Sequence, residues 1–197
     1  MINKLSSCIV ERLLRKKHIN NDESDMFEYG LFQIFSHIFF VIVTLFCGGL
    51  FKCIIESIIF YIAFQFVRIY AGGYHAKTET QCEILSSIMI FVCVGLITIS
   101  KYCALHIYVL SVTVIAYLVI WFFSPIDTPT KPLNNVEHKH FRKISILISS
   151  TLLVIVIVSL FSHCDLLFFP CCVSLVLEGF LLCVAKINLC MRKKDFG

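Results

Sequence analysis

Charge is scarce in this chain. Only 15% of its 197 residues are Asp, Glu, Lys or Arg, whereas 58% are hydrophobic, and the mean hydropathy is +0.88. A soluble domain needs more polar surface than this, so the composition excludes one and points to an all-α, polytopic integral membrane protein. Glycine and proline are also few, at 8 and 4. With no Pro/Gly-rich linker, no low-complexity tract and no fixed-period repeat, one membrane domain over 1–197 is the economical expectation. Metal-binding pairs are missing too, since neither a Cys-x-x-Cys nor a His-x-x-x-His occurs. The N-terminal stretch MINKLSSCIVERLLRKKHIN has no apolar core followed by a small-residue cleavage site, so it is not expected to be a cleaved signal peptide.

What is present in quantity is apolar sequence. A helix needs about 20 apolar residues to cross the hydrocarbon core, with roughly 17 to 25 tolerated. Six stretches qualify, at about Leu31–Leu50, Phe51–Val67, Ile84–Ser100, Ala104–Phe123, Ile144–Ser162 and Leu166–Ala185. Gly48, Gly49 and Lys52 mark the expected turn between the first two. The cysteines number 11, which is odd, and Cys47, Cys53, Cys93, Cys171, Cys172 and Cys183 lie inside apolar runs. There a free Cys packs as a small hydrophobe, so a disulfide framework is not expected.

Basic residues orient the spans, because cytoplasmic flanks retain Lys and Arg. With both termini cytoplasmic, all of the 17 Lys and Arg except Lys52 and Lys101 fall on the inner side. The polar stretch RIYAGGYHAKTETQC (Arg68–Cys82) and the loop SPIDTPTKPLNNVEHKHFRK then share the cytoplasmic face, where thiols stay reduced. Ahead of the first span, Ile2, Leu5, Ile9 and Leu13 recur at helical spacing with Lys and Arg opposite. That pattern predicts a basic amphipathic helix drawn to anionic membrane lipid.

The Arg68–Cys82 stretch is a polar island between spans two and three. Gly72–Gly73 breaks helix there, so the chain is expected to turn. His75 and Cys82 are the candidate pair: a thiolate is the nucleophile, and an imidazole within reach takes its proton. On one continuous helix they would be separated by about 10 Å of rise, too far for a hydrogen bond. Acting together therefore requires a fold-back at the glycines, a His75 on a non-helical loop facing a Cys82 in the first turn of span three, or pairing across a dimer. Two plainer readings stay open beside catalysis. Cys82 can be a packing residue and His75 a satisfied polar one, or His75, Cys82, His138 and His140 can form a metal set.

The same island resembles the signature of the accessory gene regulator B (AgrB) family of bacterial membrane peptidases: an Arg, a Gly-rich turn ending in His-Ala, and a Cys seven residues after the His. EYG at Glu28–Gly30 and FSPIDTPTKPL after span four are similar to further family patterns, and length and span count fit over the whole chain. Many members carry an acidic residue shortly after the YG; here Phe32 and Gln33 follow, so no role is carried over to that position. The resemblance implies a cysteine endopeptidase in the bacterial cell membrane with its site on the cytoplasmic side. It would cleave an AgrD-type pro-peptide through a thioester on Cys82 and promote closure of a thiolactone or lactone ring. His75 would act as base or ion-pair partner, with Arg68, Gly72 and Gly73 supporting the site.

Lys77, Lys131, Lys139, Arg142 and Lys143 are further expectations, as partners for the acidic tail of such a peptide. A homodimer is expected from the family; no cofactor, no resident metal and no nucleic-acid partner is expected. Gln33, Glu56, Gln65 and Glu178 are polar residues within spans. Glu178 stands out as a functional candidate or a helix-to-helix hydrogen bond, outside the catalytic set. A transporter is disfavoured by the lack of an inverted repeat and of matching Gly/Pro-broken spans. The remaining alternatives are a non-catalytic membrane adaptor and a zinc-binding membrane protein.

Overall fold

The computed structural model describes residues 2–15, 24–73, 78–103, 105–126 and 134–195. They form seven helices: α1 (Ile2–Arg15), α2 (Ser24–Leu50), α3 (Ile54–Ala71), α4 (Glu79–Tyr102), α5 (His106–Phe123), α6 (Asn135–Phe161) and α7 (Asp165–Asp195). The described residues contain no β-strand, only an isolated bridge between Gly72 and Ile126. Helices α2 to α7 are each long and apolar enough to cross a membrane, which makes this an all-α protein with six candidate spans. Helices suit that environment because each satisfies its own backbone donors and acceptors where no water can. The 18 residues of α3 rise about 27 Å, close to the hydrocarbon thickness.

The chain divides into two compact units, Met1–Val43 and Thr44–Gly197. In the first, the expected N-terminal amphipathic helix is present as α1, and Ser7 Oγ donates to Glu28 of α2. Gln33 donates to the Tyr29 hydroxyl at 2.9 Å.

In the second unit, α7 is the buried helix and packs against α3, α4, α5 and α6. Its Leu175, Leu182 and Ala185 form one core cluster with Val67 and Ala71 of α3, Ile120 of α5 and Ile126. Close approach of α5 to α7 depends on Gly179, where a Cβ would stand 3.0 Å from that of Ala116. Around this core the outer helices turn apolar side chains outward, including Ile62 and Ile69 of α3, Ile88 and Ile99 of α4, and Leu147 and Val154 of α6. Apolar residues exposed on nearly every span are what contact with lipid tails requires.

Two sequence expectations need correction. Gly48 and Gly49 do not form the first turn; α2 runs through them to Leu50, and the reversal is Phe51–Cys53, with Lys52 at φ 57°. Gly48 serves packing instead, since a Cβ there would lie 2.8 Å from Ser57 Oγ and 2.9 Å from Ile54 Cα. Helix ends also overrun the apolar stretches, most clearly in α6, which starts at Asn135 rather than near Ile144, and in α7, which continues to Asp195. Hydropathy marks where lipid begins, whereas a helix persists into polar sequence until a cap or a breaker stops it.

At the end of the unit where α3 begins and α4 ends, polar groups pair. Lys101 Nζ bonds Glu56 Oε1 at 2.9 Å, and His106 Nε2 lies 2.8 Å from Asp165 Oδ1.

Candidate active site at the α3–α4 turn

The polar island begins where α3 stops. Gly72 caps the helix, its N–H donating to the Arg68 carbonyl at 3.1 Å, and leaves it at φ 75°, a conformation that costs a residue with a Cβ. A Cβ at Gly72 would also come within 2.5 Å of the Ile126 carbonyl oxygen. That closeness belongs to the bridge between the two segments, in which Ile126 N–H donates to the Ala71 carbonyl at 3.1 Å. The start of the α5–α6 loop is thereby tied by backbone to the start of the α3–α4 loop.

Gly73 has a different obligation. At φ 136° it occupies backbone space open essentially to glycine, and a Cβ there would fall 1.8 Å from Arg68 Nη1. The guanidinium fills the volume a side chain would need. It donates from Nη1 to the Gly72 carbonyl at 2.9 Å, so the last turn of α3 clasps its own exit.

Behind Arg68 stands Glu178 of α7, wholly buried, with Oε2 3.9 Å from Arg68 Nη1. Neither carboxylate oxygen has a hydrogen-bond partner among the described residues. The sequence offers one sign of this residue, an ionisable group within a span, and no sign of its partner.

Cys82 lies in the first turn of α4 and is half-buried. Thr78 caps that turn: its hydroxyl accepts from the Gln81 N–H at 3.3 Å, and its carbonyl accepts from the Cys82 N–H at 3.0 Å. One of the arrangements open from sequence, with Cys82 in the first turn of span three, is therefore met on the cysteine's side. His75 and Lys77 lie outside the described residues, as does Lys131. Lys139, Arg142 and Lys143 are exposed on the opening turns of α6. Phe141, among them, packs edge-on against Tyr70 of α3 with ring centroids 5.8 Å apart. The basic start of α6 and the Arg68 turn thus occupy one end of the bundle.

The six cysteines inside apolar runs fit the packing expectation, whereas Cys8, Cys103 and Cys190 are exposed and Cys164 is half-buried. Cys47, Cys53, Cys93, Cys171 and Cys172 are buried, Cys183 is half-buried, and every cysteine is free. His138 and His140 belong to the first turns of α6. Among the described residues no three His, Cys, Asp or Glu side chains gather as a metal site would require.

Comparison with known proteins bears on the whole arrangement. The family model described as accessory gene regulator B matches residues 6–183. The chain is 26% identical over 149 residues to the putative AgrB-like protein 2 of Clostridium perfringens (strain 13 / Type A), covering 73% of this chain and 69% of that protein. Identity is also 26% over 173 residues with a putative AgrB-like protein of Clostridium perfringens (strain SM101 / Type A), covering 84% and 80%. With the accessory gene regulator protein B of Staphylococcus carnosus (strain TM300) it is 29% over 126 residues, covering 64% and 65%. No solved structure matches the chain.

Proposed function

The chain belongs to the accessory gene regulator B (AgrB) family, and from that premise we propose that it is a membrane cysteine endopeptidase acting on an AgrD-type quorum-sensing pro-peptide. The observation that carries the reading is Cys82 itself, half-buried in the first turn of a capped helix, on the next helix after a glycine reversal held by an arginine. A thiol so situated is partly shielded from solvent at the start of its helix. The helix N-terminus favours the negative charge that a thiolate carries.

The reaction has two halves. Cys82 Sγ adds to the carbonyl carbon of the scissile bond while His75 takes the thiol proton; the intermediate collapses, and the departing amine of the C-terminal fragment receives that proton. The N-terminal part remains as a thioester. A Cys or Ser within it then attacks the thioester carbonyl, giving up its proton, and Cys82 leaves as the thiol, closing a thiolactone or lactone. Exchanging one thioester for another thioester or an ester releases little free energy, so water must be kept away until the internal nucleophile arrives. Holding both reacting ends at one site supplies the proximity that favours the ring over hydrolysis.

In the same reading, the site lies on the cytoplasmic side of a bacterial cell membrane. The basic residues Lys139, Arg142 and Lys143, with Lys77 and Lys131, attract the acidic peptide tail. The chain acts as one peptidase domain over 1–197, paired as a homodimer, with α1 on the lipid surface. The test is cleavage of the pro-peptide by membranes containing Cys82→Ser or His75→Ala at wild-type levels of inserted protein. The reading expects none from either, and retained cleavage by either defeats the assignment of that residue.

A further inference from the structure

Most polar side chains in the α3–α7 bundle have partners. Glu56 meets Lys101, His106 meets Asp165, Ser124 meets Ser145 and Tyr117 meets Ser150. Apart from Ser36 Oγ, the two Glu178 oxygens are the buried side-chain N or O atoms without a hydrogen bond among the described residues. A carboxylate in the middle of a span is expensive, and an apolar side chain would pack there at less cost. Retaining it calls for a use.

That use is visible in what Glu178 faces. The guanidinium 3.9 Å away is the one that donates to the Gly72 carbonyl and fills the space beside Gly73. A longer-range charge contact on one side and a short hydrogen bond on the other hold the arginine between α7 and the turn. Removing the carboxylate takes away the charge that draws the guanidinium toward α7, and so weakens the clasp on the Gly72–Gly73 reversal. We propose that Glu178 is a positioning residue: its carboxylate holds Arg68 over the reversal and so sets how the chain leaves α3 toward His75 and Cys82. This rests on the peptidase reading, because the turn matters for catalysis only if Cys82 is the nucleophile.

The experiment uses the full chain in membranes and the AgrD-type pro-peptide encoded beside it, with wild type, Cys82→Ala and Glu178→Gln assayed together for inserted protein, kcat and KM. Gln keeps the shape and removes the charge. Misplacing a site by about 1 Å costs up to about 100-fold in rate. The expected result is a large fall in kcat with KM and inserted amount unchanged. Wild-type kcat in inserted Glu178→Gln overturns the proposal while leaving the peptidase reading intact. Cleavage by Cys82→Ala overturns that reading, and this proposal with it. If Glu178→Gln fails to insert, Glu178→Met, an apolar side chain suited to the span, is assayed in its place: inserted protein with a large fall in kcat supports the positioning role, and inserted protein with wild-type kcat overturns it.

Discussion

A side chain on Gly72 would come within 2.5 Å of the Ile126 carbonyl oxygen, whereas one on Gly73 would strike the Arg68 guanidinium instead. Backbone cannot move aside cheaply, but the tip of an arginine can. Gly72→Ala is therefore expected to destabilise the protein by about 1–3 kcal/mol, from strain at positive φ plus the clash with Ile126. Gly73→Ala carries strain at positive φ as well but meets a movable side chain rather than backbone, so it should cost somewhat less stability while losing cleavage, because it displaces Arg68 from the turn. Thermal unfolding in detergent, paired with cleavage rates, checks the order. Equal melting temperatures for the two variants would contradict it.

Gly48 and Gly49 form a second contrasting pair. A Cβ at Gly48 meets Ile54 Cα and Ser57 Oγ below 3 Å, while one at Gly49 meets nothing within 4 Å. Overpacking makes Gly48→Ala destabilising by about 1–3 kcal/mol. Gly49→Ala, in helix and open space, should be neutral or stabilising by up to about 1 kcal/mol. The same unfolding measurement applies, and tolerance of Ala at 48 would show that the α2–α3 reversal is looser than described.

The Lys101–Glu56 pair provides a control for the site. Lys101 occupies the last turn of α4 and Cys82 the first, about 28 Å apart along the helix. Lys101→Met should cost about 1–3 kcal/mol, because it leaves the buried Glu56 carboxylate without its partner. Cleavage by the inserted protein should be unchanged. A large kcat effect would mean that the two ends of the bundle are coupled.

Charge on the opening turns of α6 can be tested by reversal. Changing Lys139, Arg142 and Lys143 together to Glu should slow cleavage of a pro-peptide with an acidic tail by about 10-fold or more at low salt. The effect should shrink as ionic strength rises. Lysines placed in the peptide tail should restore the rate. Slow cleavage without such rescue would assign these residues to membrane orientation rather than to the substrate.

Much of the architecture was legible because bilayer thickness imposes it. Six apolar stretches became six helices, and Gly72–Gly73 ended α3 as expected. The boundaries were less legible, because charged flanks such as those at the start of α6 stay helical beyond the lipid. The Gly48–Gly49 pair misled for a related reason: glycine breaks a helix in water, but between membrane helices it equally marks close approach. The Arg68–Glu178 relationship was illegible, since no local pattern links the end of α3 to the middle of α7. Only packing around the Leu175 and Leu182 face of α7 brings them together.

The most direct measurement is the intact mass of the full chain trapped during turnover with its pro-peptide, compared with Cys82→Ala. The account predicts an adduct equal to the N-terminal part of the peptide, located on Cys82, released by hydroxylamine as a thioester should be, and absent from the variant. Shortened peptide produced without any adduct on Cys82, or an adduct that persists in Cys82→Ala, would contradict it.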